Sequence, residues 1–269
     1  MKAAVQRRYG PPEVVLIAEV DKPAPRDNEV LVKVHATTVN RTDCACRAAR
    51  PFFMRLFTGL IRPRAPVLGN EFAGVVEAVG SGVTSFQAGD KVFGYNEGPF
   101  GAHAEYMSIP ADGSLATMPA NVTYQQAAPS TEGSHYALAH IRAAKIRSGQ
   151  DVLVYGATGA IGSAAVQLLK SLGATVTAVC DTGHMELVRG LGADRVIDYT
   201  ARGFHQGRAD IRRGPRLGWQ ELLQPLQTAS ETGRDLHLIR TGSAGPESVP
   251  GAHRPAAWRQ EGPVPDPEA

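Results

Sequence analysis

The chain has 269 residues, 43% hydrophobic and 20% charged, with a formal net charge of +2. That length predicts about two domains, and that composition excludes wholesale disorder. So small a charge leaves no electrostatic footprint for nucleic acid, and no nucleic-acid partner is expected. Three cysteines, Cys44, Cys46 and Cys180, make no disulfide framework in a chain this long and point to a reducing cytoplasm. The first residues hold no apolar stretch of the signal-peptide kind. The longest uncharged run, residues 152–169, has the length of a membrane span, but Gly156, Gly159 and Gly162 break it, so no membrane partner is expected.

Residues 1–120 read as short strands separated by turns. Val30, Val32 and Val34 alternate with Leu31, Lys33 and His35, the period of a strand with two unlike faces. Further strands are expected at 2–6, 14–20, 72–79, 91–93 and 104–109, with turn chemistry at 23–25, 80–82 and 89–90. This pattern predicts a compact barrel or sandwich. From 121 to 200 strand and helix alternate. Residues 152–155 form a short apolar run suited to a strand buried on both faces. Ile161, Ala164, Ala165, Leu168, Leu169 and Leu172 fall on one face of a helix, which Gly173 ends. Residues 175–179 are the next strand. Asp181 or Thr182 caps a second helix reaching Leu191, and 195–199 are a third strand. The order is a parallel βαβαβ, half of a dinucleotide-binding sheet.

The turn Gly156-Ala-Thr-Gly159-Ala-Ile-Gly162 joins the first of these strands to its helix. Glycine lets the backbone turn tightly and approach a pyrophosphate, while the helix N-terminus offers N–H groups and a positive dipole. Gly156, Thr158, Gly159, Ala160, Ile161 and Gly162 are therefore the candidate cofactor-binding residues. The spacing is GxxGxxG rather than GxGxxG, which leaves a ligand-free turn as the alternative. Asp181 stands 19 residues after Gly162, where an acid bonds the ribose 2′-hydroxyl of NAD and repels a 2′-phosphate. Capping a helix is its other reading.

Gly69-Asn-Glu-Phe-Ala-Gly-Val-Val-Glu-Ala-Val-Gly80, Ala88-Gly-Asp-Lys-Val-Phe-Gly94, the glycine turn, and Leu191-Gly-Ala-Asp194 through Tyr199 add up to a specific set. Over residues 1–200 the chain resembles the medium-chain dehydrogenase/reductase superfamily, in its zinc-independent quinone oxidoreductase-like branch. The resemblance implies an α/β protein: a GroES-like, β-rich catalytic domain over 1–120, then a Rossmann domain of which 121–200 supply the first half. Substrate and nicotinamide would meet between them. Zinc-dependent relatives carry a cysteine where this chain has Asn40 and a histidine where it has Asn70; an amide is a poor zinc ligand. No cysteine occurs between Lys91 and Ile109, where those relatives hold a structural zinc, so no metal is expected. Cys44, Cys46 and His103 match no zinc spacing.

Without zinc a carbonyl must be polarised by hydrogen bonds, and the resemblance makes Asn40 and Thr42 the catalytic candidates. Ordinary loop capping is their alternative, and Asp43 reads as an anchor for the same loop. The resemblance puts Ser134 beside nicotinamide or its ribose and Tyr199 beside the adenosine phosphate, where a packed strand-end aromatic is the other reading. His35, His135 and His140 have no partner at recognisable spacing.

After residue 200 the composition changes. Sixty-nine residues hold nine arginines, eight prolines and both tryptophans, but two valines and two isoleucines. A parallel sheet needs β-branched runs, so residues 201–269 are expected to add nothing to it and to form an irregular tail. Codons compatible with residues 211–237, read one base later, encode YDVVLDSVGKSSFSRCKRLLKPGGIY. That text restores strand residues and resembles what the family places there, so a reading-frame shift near Ala201 is expected, with low stability and weak or absent turnover. The function expected is hydride transfer from NAD(P)H to a quinone, enone or related carbonyl. The resemblance favours NADPH and Asp181 favours NADH. The family is often homo-oligomeric. A non-catalytic dinucleotide-binding or interaction protein is the alternative.

Overall fold

β1 (Lys2–Gln6) and β2 (Val15–Glu19) pair antiparallel in the computed structural model, which describes residues 1–96, 98–201 and 236–240. β3 (Glu29–Thr37) leads into α1 (Arg41–Ala48), a 3-10 turn at Phe52–Met54 and α2 (Arg55–Thr58). Then come β4 (Glu71–Val79), β5 (Lys91–Tyr95), β6 (Tyr106–Pro110), β7 (Leu115–Thr117) and the short α3 (Tyr124–Ala127). Five strands form one antiparallel sheet in the order β6-β3-β4-β5-β7. Val30, Val32, Phe72, Val76, Val92 and Ile109 fill its core, as alternating apolar positions should. Lys33 and His35 are exposed, as the alternation in β3 predicted. This is the β-rich GroES-like architecture. Its unit runs Met1–Thr131, past the boundary expected at 120, because α3 packs back on β3 and β4 through Tyr124, Ala127 and Ala73.

The second unit starts with α4 (Glu132–Ala143) and continues with β8 (Asp151–Tyr155), α5 (Ala160–Ser171), β9 (Thr175–Cys180), α6 (Met185–Gly190) and β10 (Arg195–Asp198). A 3-10 turn, Thr182–His184, precedes α6 where the sequence predicted helix. Val152, Leu153 and Val154 are at most 1% exposed, the signature of a strand covered on both faces. On α5, Ala165 and Leu169 are buried as the periodicity required. Val166, outside the predicted stripe, is buried too, and Leu172 is 42% exposed because the helix ends before it.

One expectation is overturned. β11 (Leu236–Arg240) lies parallel to β8 in register Leu236↔Asp151 to Arg240↔Tyr155, giving the order β10-β9-β8-β11. The composition of the whole tail argued against any strand. Yet a strand needs about five residues, and Leu236, Leu238 and Ile239 supply the apolar ones, with Ile239 3% exposed. Among the described residues the partial Rossmann sheet thus has four parallel strands. The remaining expectations for the tail, the frame shift included, lie outside the described residues.

Candidate active site

In the first unit α1 begins at Asn40 with a reciprocal cap. The Asp43 N–H donates to Asn40 Oδ1 at 3.1 Å and the Asn40 N–H donates to Asp43 Oδ2 at 3.1 Å. Asp43 also accepts from the Gly69 N–H at 3.0 Å, so it ties α1 to the start of β4, the anchoring role read from the sequence. Burial pushes its carboxyl above the ordinary range, and Glu71 adds to this. The bonds from Asn40 and Gly69 and the nearby His103 pull the other way without reversing it.

Asn40 Nδ2 donates to Asn70 Oδ1 at 2.7 Å and to Glu71 Oε2 at 3.3 Å. The two asparagines that stand where zinc-dependent relatives have ligands are therefore in contact. Glu71, 4% exposed, also accepts from the Thr38 hydroxyl at 2.5 Å and the Thr131 hydroxyl at 3.1 Å. Asn70 is fully buried, and its Nδ2 has no partner among the described residues. Thr42 sits half-buried in the first turn of α1. Asn40 is thus both the cap that the alternative reading named and the hub of a polar cluster.

Cys44 is exposed and Cys46 buried, two positions apart on α1, so they do not converge. His103 Nε2 donates to the Thr38 carbonyl at 2.7 Å and lies 3.9 Å from Asp43. Among the described residues no group of three or more His, Cys, Asp or Glu is arranged to hold a metal ion. His35 stacks on Tyr124, with ring centroids 4.6 Å apart.

In the second unit the glycine turn divides its labour. Gly156 has φ +85°, which favours glycine alone. A Cβ at Gly162 would overlap the Gly156 carbonyl oxygen, so this glycine permits helix and turn to close on each other. Gly159, the N-cap of α5, is different: among the described residues a Cβ there would meet nothing nearer than 3.7 Å. Those residues leave space in front of it, and Ala160, Ile161 and Gly162 carry N–H groups with no intrahelical acceptor. Gly133 lets α4 approach, since its Cβ would stand 2.7 Å from the Ala160 carbonyl oxygen. That contact brings Ser134 beside the α5 N-terminus. Thr158 is exposed on the turn. Open space and unused donors fit the pyrophosphate of a dinucleotide.

Asp181 follows β9, and its carboxylate meets His184 Nδ1 at 2.7 Å rather than capping the 3-10 turn. Asp198 ends β10; the Thr182 hydroxyl donates to it at 2.6 Å, and this bond with those from Thr200 holds its carboxyl below the ordinary range. Burial pushes the Cys180 thiol up, and the Asp181 and Asp198 charges add to it. These strand ends are acidic. Tyr199 packs with Leu153, Val179 and Ile197 at the end of β10.

Sequence reasoning passed over Glu71 as a hub, Gly133 and His184. The first has partners 33 and 60 residues away, which no local spacing reveals. Thr131-Glu-Gly-Ser-His was on view, but Ser134 drew notice and the glycine before it did not.

Residues 26–120 match the alcohol dehydrogenase GroES-like domain. The chain is 35% identical over 214 residues to 2-methylene-furan-3-one reductase of Solanum lycopersicum, covering 76% of this chain and 53% of that protein. It is 35% identical over 210 residues to the chloroplastic NADPH-dependent alkenal/one oxidoreductase of Arabidopsis thaliana, covering 74% and 53%. It spans about half the length of these relatives. The quinone oxidoreductase of Coxiella burnetii superposes with a TM-score of 0.69 at 25% identity, covering 89% of this chain and 82% of that one. The motifs, the two folds and these likenesses agree: the chain belongs to the medium-chain dehydrogenase/reductase superfamily, in its quinone oxidoreductase-like branch.

Proposed function

We propose that the chain carries the working parts of an NADPH-dependent, zinc-independent reductase of quinones, enones or related carbonyls. The open space in front of Gly159, beside the free N–H groups of α5, carries this reading. Gly156, Thr158, Gly159, Ala160, Ile161 and Gly162 would hold the pyrophosphate, with Ser134 and Tyr199 toward the two ends of the dinucleotide. When bound, the cofactor supplies hydride. The first unit supplies polar groups for the acceptor's oxygen. Asn40 has its amide committed to Asn70 and Glu71, so its part is to position α1, and the Thr42 hydroxyl takes the bond to that oxygen. NADPH is favoured by the name of the Arabidopsis relative. Asp181 opposes it, and a 2′-phosphate must settle near that carboxylate. Cytoplasmic residence fits three free cysteines.

The same reading takes most of the chain after 201 as translated out of frame. An intact frame in DNA read across the codons for 195–245 overturns that part alone. The test of function is dinucleotide titration followed by turnover with a quinone and an enone. Binding with turnover that falls in Thr42→Ala and returns in Thr42→Ser supports the proposal. Binding without turnover, in the chain as written and with the other frame restored, leaves a dinucleotide-binding protein instead.

A further inference from the structure

Between Asp43 and Glu71 the chain carries five arginines, Arg47, Arg50, Arg55, Arg62 and Arg64, and no carboxylate. Five of its large apolar residues face solvent: Phe52 is 77% exposed, Leu56 63%, Phe57 71%, Leu60 63% and Ile61 90%. Leu56, Phe57, Leu60 and Ile61 are spaced as the stripe that a helix of a water-soluble protein turns to its core. Here Met54 alone of the turn packs inward, against the cluster of Cys46, Leu68 and Phe100.

The fold holds the segment in this pose. The Tyr9 hydroxyl donates to the Gly59 carbonyl at 2.7 Å and meets the Thr58 hydroxyl at 2.8 Å. The Arg55 guanidinium lies 4.9 Å from the centre of the Tyr9 ring. Arg47 donates to the Gly10 carbonyl at 2.8 Å, so the N-terminal stretch with exposed Arg7 and Arg8 is tied to the same segment. Exposed apolar side chains interspersed with exposed arginines along one segment are costly to leave in water and mark a contact surface.

We propose that this face docks on the anionic surface of a lipid bilayer. Phe57, Leu60 and Ile61 enter the boundary between headgroups and acyl chains while the exposed Arg50, Arg62 and Arg64 bind lipid phosphates. Charge selects the occupant. In a symmetric dimer through this patch each copy would set its arginines against the other's, and an uncharged surface would leave them unpaired. No helix among the described residues is long and apolar enough to cross a membrane, so this attachment is peripheral. The sequence reading expected no membrane partner; exposure, which composition does not reveal, is what changes it.

Sedimentation of the full chain with vesicles tests this. The chain should pellet with phosphatidylcholine vesicles containing one-third phosphatidylserine, weakly with pure phosphatidylcholine, and less as salt rises. Arg62→Gln with Arg64→Gln should weaken binding about 30-fold, at about tenfold for each 1.4 kcal/mol. Phe57→Ser with Leu60→Ser should weaken it about tenfold or more. All four positions are exposed, so circular dichroism should show both variants folded. Failure of the chain to pellet with the anionic vesicles overturns the proposal, as does equal binding by the variants. Self-association without lipid that the Phe57 and Leu60 changes abolish overturns it in favour of a second copy.

Discussion

The Asn40 cluster and the α5 glycine turn are both polar and both built from residues the sequence singled out, yet they spend their hydrogen bonds differently. Around Asn40 the amide, the Asp43 carboxylate and Glu71 are engaged by protein groups, with Asn70 Nδ2 the exception. At α5 the fold leaves space at Gly159 and does not use the first N–H groups of the helix. A region that satisfies itself builds structure, and a region left open waits for a ligand. Within the turn the same contrast separates two glycines three residues apart: a Cβ at Gly162 would overlap the Gly156 carbonyl oxygen, and one at Gly159 would meet that oxygen only at 3.7 Å.

The sharpest way to break this comparison is Gly162→Ala. Its methyl would overlap the Gly156 carbonyl, so stability should fall by about 3 kcal/mol, measured by denaturant unfolding. If Gly162→Ala is neutral, the turn is looser than described. Gly159→Val comes next. A side chain fits the fold there but fills the ligand's space, so dinucleotide affinity should drop about 100-fold, close to 3 kcal/mol, with the melting temperature little changed. Unchanged affinity in a titration would make Gly159 a structural turn.

Asp181→Ser sharpens the cofactor reading. Removing the carboxylate should raise NADPH affinity and lower NADH affinity, each by about tenfold or less. A change of the same sign for both cofactors would remove Asp181 from the ribose site.

The smallest effect concerns acid. Burial outweighs the bonds to Asp43 and raises its carboxyl, so its contribution to stability is complete below the ordinary aspartate range and is lost as pH rises through the raised value. Asp194 is opposite. Burial pushes it up, but the bonds from Lys170 at 2.8 Å and the Val176 N–H at 2.6 Å prevail and hold it low. Its contribution is present above the ordinary range and is lost as pH falls through the lowered value. Asp194 is partly exposed, so screening limits that contribution to about 1 kcal/mol. In unfolding measured from acid to neutral pH, the gap between wild type and Asp194→Asn should widen. The gap for Asp43→Asn should narrow. Parallel slopes would show that the two aspartates do not differ in this way.

Much of the fold was legible because its signals are local. β1 falls at Lys2–Gln6, as the sequence predicted, and the β8–α5–β9 unit follows the apolar run, the glycine turn and the helical stripe. α1 was not read as a helix, since Arg41-Thr-Asp-Cys-Ala-Cys lacks an apolar stripe; its cap at Asn40 holds it instead. β11 was missed because composition averaged over sixty-nine residues hid five. At the site the glycine turn was readable from spacing. The bonds of Glu71 to Thr38 and Thr131 were not, for they exist only once β4 brings distant residues together.

β11 also has a consequence for the order of assembly. Leu236 pairs with Asp151, a separation of 85 residues, whereas Thr175 pairs with the same Asp151 across 24. Closing the longer loop costs about 1 kcal/mol more in chain entropy. Pairings so distant in sequence form slowly. β8 and β9 should therefore join first and β11 last. Until it arrives, the β8 edge that carries Val152, Leu153 and Val154 stands bare, and a bare apolar edge invites pairing with another chain. The yield of folded protein should thus depend on how dilute the chains are while that last strand is still finding its place.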